Sequence, residues 1–256
     1  MVPIFTFLIA HWVLSVFCQT FYLHRYGAHS MFTMSKGWER FFHLLTFVSQ
    51  GSSYLNPRGY AILHREHHAF SDTPRDPHSP HQHPDVVRMM YATLHRYQGY
   101  NHRTAEPEPR FTKPLPPEWK LIDDIGRTWW CHLAFMALYT AFYVHFVPVG
   151  SYWLFLFLPI HFVMGPIHGA IVNWCGHMYG YRNFDTTADD KSRNTLVFDF
   201  VTMGELFQNN HHKFGMSPNF AARKFEVDPT YPIIKVLNWL GVIQLGPHPQ
   251  YAHYPA

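Results

Sequence analysis

The sequence predicts an all-α integral membrane protein with a cytosolic, His-rich helical cap, and two observations carry that prediction. The first is where charge is missing. Residues 1–24 contain no Asp, Glu, Lys or Arg, and neither do residues 128–181, a run of 54. One spanning helix needs about 20 apolar residues, so the second run has room for two. The second observation is where histidine is found: there are 21, many of them in the polar segments that separate the apolar ones.

The elements follow in order along one domain, residues 1–256. Residues 2–23 are apolar and long enough to span. They have no basic leading region and no small-residue cleavage site, so we read a span and not a secretory leader. Residues 41–55 are too short and too polar at their end, which predicts an interfacial or re-entrant helix. The Pro-rich residues 101–119 read as a linker. The long charge-free run breaks at Pro148-Val149-Gly150-Ser151, predicting a hairpin of spans at roughly 128–147 and 152–173. Trp129, Trp130, Tyr152 and Trp153 sit at its ends, where amphipathic rings favour the membrane interface. Residues 231–245 are amphipathic and predict a helix lying on the membrane.

All 20 Lys and Arg fall within 25–127 and 182–235. Both segments are therefore expected on the cytoplasmic side, giving three to four spans with the N-terminus outside. The mean hydropathy is slightly negative because the polar cap offsets the spans. A net charge of +3 and the absence of a Lys/Arg run argue against a nucleic-acid partner. Cys18, Cys131 and Cys175 form no CxxC pair and read as buried thiols.

With this much histidine, chance comes first. About 1.7 HxxxxH matches are expected by accident, so the three that occur (His24/His29, His78/His83, His248/His253) mean little alone. HxxHH, met as His64-Arg65-Glu66-His67-His68, has a chance expectation of roughly 0.14. Position then sorts them. His24/His29 follow the first span, Asn173 and His177 end the hairpin, and Gln208-Asn209-Asn210-His211-His212 lies in the second cytoplasmic segment. All can converge just below the membrane. His78/His83 and His248/His253 read as surface residues, and His11, His132, His145, His161 and His168 as scattered core or interface groups.

Helix geometry agrees. His64, His67 and His68 fall within an arc of about 100°, as would Gln208, His211 and His212. His24 and His29, about 140° apart on an α-helix, share a site only if the helix ends or unwinds there, which Gly27 permits. Eight buried imidazoles without a cation would leave ring nitrogens unsatisfied, and eight exceed the four that one structural metal takes. Two metals facing a membrane core suggest oxidation of a lipid chain by O2, with iron as the natural choice.

In order, His24-Arg25-Tyr26-Gly27-Ala28-His29, the His64–Pro80 stretch HREHHAFSDTPRDPHSP, NWCGH (173–177), GELFQNNHH (204–212) and FEVDPTYPIIKVLNWLGV (225–242) resemble the membrane-bound fatty acyl desaturases, most closely the stearoyl type. The resemblance covers most of the chain. It implies two irons held by His24, His29, His64, His67, His68, His177, His211 and His212, with Asn173 acting through a water and Glu205 orienting a ligand. It also implies a cis double bond made with O2 and two electrons. The stearoyl type has His where Gln208 stands, while the related front-end branch has Gln there, so Gln208 is expected to offer its amide oxygen or to hold a water. The family usually has two spans before the first box, where this chain has one. The implied partners are a fatty acyl substrate (on coenzyme A, acyl carrier protein or a lipid), an external electron donor such as ferredoxin or cytochrome b5, and the bilayer. Arg58, Arg65, Lys191 and Arg193 are candidates to meet a head-group phosphate. The rival readings are a hydroxylase of the same superfamily and a non-catalytic membrane protein.

Overall fold

The first element does not end where its α-helix does. In the computed structural model, which describes residues 1–246, α1 (Val2–Phe17) passes without a break into an eleven-residue π-helix, Cys18–Ala28. The result is one apolar rod, Val2–Ala28, about 40 Å long. Its outer half exposes Val2, Phe5, Ile9, Val13 and Leu14, whereas its π half is buried almost throughout.

The helices that follow start where capping chemistry predicts. Ser35 caps α2 (Lys36–Gln50) by accepting from the Trp38 amide, and Asn56 caps α3 (Pro57–Phe70) by accepting from the Gly59 amide, with Pro57 at the first helical position. Asp85 caps α4 (Val86–Asn101). The chain then runs through α5 (Lys120–Gly126) to α6 (Trp129–Phe146), which Thr128 caps. The second half of the charge-free run is broken into α7 (Leu158–Phe162), α8 (Met164–Ala170), a π turn at Ile171–Cys175 and α9 (Gly176–Met178). Last come α10 (Gln208–Lys213) and α11 (Thr230–Trp239).

The structure is mostly helical, as expected, but it differs from the sequence reading in three places. The segment expected at 152–173 is bent by 72° between Phe162 and Met164, where Pro166 in the next turn offers no N–H to continue the helix. Among the described residues, by length and composition one helix, Val2–Ala28, could cross a membrane, or two if the bent pair counts as one span, against the three or four expected. α6 has the length, but His132, His145, Tyr139 and Tyr143 dilute its apolarity. The expected helix over 231–245 stops at Trp239. Gly241 takes a left-handed φ of +70°, and the chain leaves as a strand, β2 (Ile243–Leu245), antiparallel to β1 (Phe32–Met34).

Three apolar clusters hold the elements. Phe21, Tyr22 and Leu23 of the π-helix pack with Phe42, Phe207, Phe220 and Ile234. Ile4 packs with Tyr139, Tyr143, Leu154 and Leu158. Ile62 and Leu63 of α3 pack with Tyr97, Tyr100 and Phe111. The π-helix and α3, which anchor the first and third clusters, also carry four of the expected ligands, and His29 follows directly on the π-helix. All three cysteines are free thiols; Cys18 is buried and the other two are partly exposed.

Candidate metal centre

The π winding answers the spacing problem of His24 and His29. A π-helix bonds i to i+5, and the His29 amide donates to the His24 carbonyl at 3.0 Å. Residues five apart therefore stack on one face without unwinding. α3 presents His64 and His68 to the same place, and α10 adds His211. One ligand atom from each of His24, His29, His64, His68 and His211 lies within 4.8 Å of all the others. His67, His177 and His212 form a second such group. All eight expected histidines thus fall into two adjoining clusters. His68, with its ring centroid 4.7 Å from that of His211 and 4.5 Å from that of His212, stands at their junction.

Carboxylates set the tautomers. His67 Nδ1 faces both oxygens of Asp76 at 2.9 Å, His177 Nδ1 faces Asp72 at 2.8 Å, His212 Nδ1 faces Asp190 at 3.2 Å and His24 Nδ1 faces Glu205 at 2.5 Å. In the first three pairs, which are hydrogen bonds, Nδ1 holds the proton it donates, which leaves Nε2 as a lone pair. His67 Nε2 and His212 Nε2 then meet lone pair to lone pair at 3.2 Å. His24 Nε2 lies 2.9 Å from His211 Nε2, which is itself 2.9 Å from His68 Nε2. Two nitrogens about 2.1 Å from one ion and at right angles to each other are about 3 Å apart. His177 Nε2 is buried with no hydrogen-bond partner among the described residues. The donor set therefore fits divalent metal ions suited to imidazole, iron included.

Burial pushes His29, His64, His68 and His211 well below the usual imidazole value, and neighbouring imidazoles push the same way. These rings are neutral, the state in which they bind metal. Burial alone would raise Asp72, Asp76 and Asp190. The imidazole each touches, together with hydrogen-bond donors, instead holds them below the usual carboxylate range.

The supporting groups were mostly invisible in the sequence. Glu205 was expected, and it contacts His24, Thr20 and the fully buried Arg25, whose guanidinium also pairs with Asp228 at 2.8 Å. Asp72, Asp76 and Asp190 were not expected. Only Asp76 had a signal, its place in the DPH stretch. Asn209 and Asn210 are braces for α10: Asn209 accepts from the amides of Asn183 and Phe184, and Asn210 bonds Asn183, Asn194, Phe220 and Glu226.

Gln208 is buried on the same face of α10 as the histidines, with its amide nitrogen donating to the Glu205 carbonyl at 2.7 Å. Its stem presses on Gly176, where any Cβ would collide. Asn173 sits in the π turn, four residues before His177. Of the head-group candidates, Arg65 is committed to four backbone carbonyls, those of Gly27, Ala28, Phe111 and Pro114. Arg58 bonds the Tyr100 carbonyl and Glu118, and Arg193 the Gly180 carbonyl. Lys191 bonds Asp72 through its backbone amide.

One of the histidines set aside as surface residues was misread. His78 is 4% exposed and its ring packs on His67, with centroids 4.3 Å apart. The turn from Ser71 to Ser79 folds back over α3, which a loop reading of polar residues does not foresee. His83 is partly exposed, and His248/His253 lie outside the described residues.

A cavity of about 350 Å³ runs to His64 of the larger cluster. Leu55, Leu63, Met90, Leu94, Val163 and Val172 give it apolar walls, and His64, His78, Asn173, Glu205 and Gln208 also border it.

Known proteins resemble the chain along most of its length. It is 29% identical over 247 residues to a hex-5-enoyl-[acyl-carrier protein] acetylenase of Moorena producens (strain JHB), covering 92% of this chain and 74% of that one. It is 27% identical over 241 residues to an sn-1 stearoyl-lipid 9-desaturase of Anabaena variabilis, covering 92% and 80%. It is 28% identical over 240 residues to an acyl-CoA 5-desaturase of Anemone leveillei, covering 90% and 67%. A sequence model described as fatty acid desaturase matches residues 1–233. The chain belongs to the fatty acid desaturase family.

Proposed function

We propose that this protein is an integral membrane enzyme that uses O2 to introduce a cis double bond into a long fatty acyl chain. Two irons are held by His24, His29, His64, His67, His68, His177, His211 and His212, on the cytoplasmic side of the bilayer. The observation that carries the reading is the apolar cavity that ends against His64, a member of the larger of two adjoining imidazole clusters. With iron bound, the chemistry supplied would be the reduction of O2 to two waters, using two electrons and two protons from the acyl CH2–CH2 unit, two electrons from an external donor and two protons from solvent.

The chain's own groups prepare the site. Asp72, Asp76 and Asp190 keep protons on the Nδ1 atoms of His177, His67 and His212 and aim their Nε2 lone pairs inward, and Glu205 stands against His24. Tyr60 lies parallel to His64, with centroids 5.8 Å apart and rings inclined by 8°, and it lines the cavity beside that ligand. The apolar walls keep bulk water from the reacting carbons. The exposed apolar surface of α1 and α6, including Val2, Ile9, Leu133, Leu138 and Val144, fits contact with lipid tails.

The three relatives named above are called after acyl-carrier-protein, lipid and coenzyme A substrates. The deciding experiment is expression in a desaturase-deficient host with an electron donor, followed by mass spectrometry of each acyl pool for double-bond position and carrier. New cis-unsaturated chains are expected. Hydroxylated chains would move the reading to a hydroxylase, and an unchanged profile from iron-loaded protein would move it to a non-catalytic membrane protein.

A further inference from the structure

Helix α4 is apolar on two faces. One is buried: Met89, Thr93, Tyr97 and Tyr100 pack inward. The other is exposed. Val87, Tyr91 and Leu94 stand at i, i+4 and i+7, within an arc of about 60°, and are 73%, 67% and 47% exposed. A helix that packs on protein by one face carries polar residues on the rest, so a second apolar stripe marks a surface that something covers. Arg88 and His95 are exposed along one edge of the stripe. An amphipathic helix lying in a membrane interface has this arrangement, with apolar and aromatic side chains in the acyl layer and cations beside the head groups.

The stripe is also the mouth of the cavity. Tyr91, Leu94 and Val163 line the cavity and are exposed, so it opens to the surface between α4 and the bend that joins α7 to α8. α8 packs against α4 and against α1. Its His168 meets Trp12 of α1, with ring centroids 4.5 Å apart, next to the exposed Val13. The mouth thus adjoins the apolar surface of α1 that fits lipid tails.

The mouth carries no cation. Coenzyme A and the phosphopantetheine arm of acyl carrier protein bring phosphates, which Arg and Lys hold best. No Arg or Lys lines the cavity among the described residues. On α4 itself, Arg96 is paired with Glu66 and Arg88 with Asp85. A membrane lipid needs no such clamp, because its head group stays in the interface while one acyl chain turns into the protein.

We propose that α4 lies in the membrane surface, with Val87, Tyr91 and Leu94 in the acyl layer, and that the substrate is an acyl chain still esterified in a membrane lipid, entering the cavity sideways between α4 and α8. Both statements rest on the membrane-desaturase reading above and add the carrier to it.

The test uses the full chain, loaded with iron and reconstituted in liposomes of phosphatidylcholine that carries an isotopically labelled stearoyl chain. Stearoyl-coenzyme A and stearoyl-acyl carrier protein, labelled in the same way, are offered at the same acyl concentration to protein in unlabelled liposomes. O2 and reduced ferredoxin are supplied throughout, with reduced cytochrome b5 in a parallel series, and unsaturated product is measured by mass spectrometry. Product should form faster on the lipid than on either thioester. A thioester turned over as fast as the lipid, or faster, would overturn the proposal alone. No product from any of the three would overturn it together with the desaturase reading beneath it.

A second measurement needs no turnover. Tyr91→Cys is made in a chain carrying Cys131→Ser and Cys175→Ser, Cys18 being buried, and is labelled with an environment-sensitive fluorophore. Arg110→Cys, at an exposed charged position, is the comparison. Nitroxide on the lipid tails should quench the label at position 91 and iodide in the water should not, with the reverse at position 110. Quenching at position 91 by iodide and not by nitroxide would overturn the proposal alone. So would shielding from both quenchers with a dimer on gel filtration, which would give the face to a second copy of the chain.

Discussion

Asp72 and His177 meet across 105 positions of sequence, carboxylate to Nδ1 at 2.8 Å, both fully buried. Asp72 also accepts from the Lys191 amide at 2.8 Å and from Ser79 Oγ at 2.5 Å, and it does so with a left-handed φ of +60°. A non-glycine residue held there points to a surrounding structure that fixes it. Asp72→Asn should therefore weaken iron binding. An amide is a poorer partner for Nδ1–H than a carboxylate, and loss of such an orienting group typically costs on the order of 10- to 100-fold in metal affinity or activity. Chelator competition followed by metal analysis checks this, and wild-type affinity in Asp72→Asn would remove the orienting role.

His67→Ala and His212→Ala should abolish unsaturated product while the protein still inserts in the membrane, because each deletes an Nε2 lone pair from the smaller cluster. His83→Ala, at a partly exposed position, should leave product unchanged. Lipid profiling at matched expression separates them. Equal loss in His83→Ala would mean that the sorting of site histidines is wrong.

The cavity predicts a steric probe that leaves the metal alone. A Cβ at Gly169 would meet only Met90 Cε, at 3.9 Å, so the position opens on free space along the cavity wall. Gly169→Leu should block a long acyl chain. Product should fall while iron content stays at the wild-type level, since Gly169 is one turn before Asn173 and touches no ligand. If product is unchanged in amount and chain length, the cavity is not where the chain lies.

Acid should destabilise the metal-free protein. Burial holds His29, His64, His68 and His211 well below their unfolded value of about 6.5. Below that pH the unfolded chain takes up protons that the folded rings refuse, so stability falls as pH drops through about 6.5 and is level above it. The thermal midpoint of chelator-treated protein should be lower at pH 5.5 than at pH 7.5, and similar at 7.5 and 8.5. Iron loading should raise it at pH 7.5, since binding to the folded state alone adds stability. A midpoint unchanged between 7.5 and 5.5 would contradict neutral, buried imidazoles.

The sequence by itself determined the helical fold class, the family and the eight clustered histidines. These properties are written locally: charge-free runs, i, i+3, i+4 spacing on α3 and α10, and an ordered set of motifs. Tertiary structure decided the rest, because the rest joins residues far apart in the chain. The π winding that brings His24 and His29 onto one face leaves no signature beyond a spacing of five. The expectation of unwinding at Gly27 rested on α-helical geometry alone. No local pattern marks Asp72 or Asp190; folding sets them against His177 and His212. His78 shares its HxxxxH spacing with a pair in the C-terminal tail, and nothing in that spacing tells a buried ring from an exposed one. Only the return of the Ser71–Ser79 turn over α3 does so, by removing water from both ring nitrogens and setting them beside His67. The Tyr231–Leu245 segment shows the same limit in reverse. Its apolar spacing suits a helix to the end, but pairing with Phe32–Met34 gives its last residues backbone partners that the local pattern cannot see.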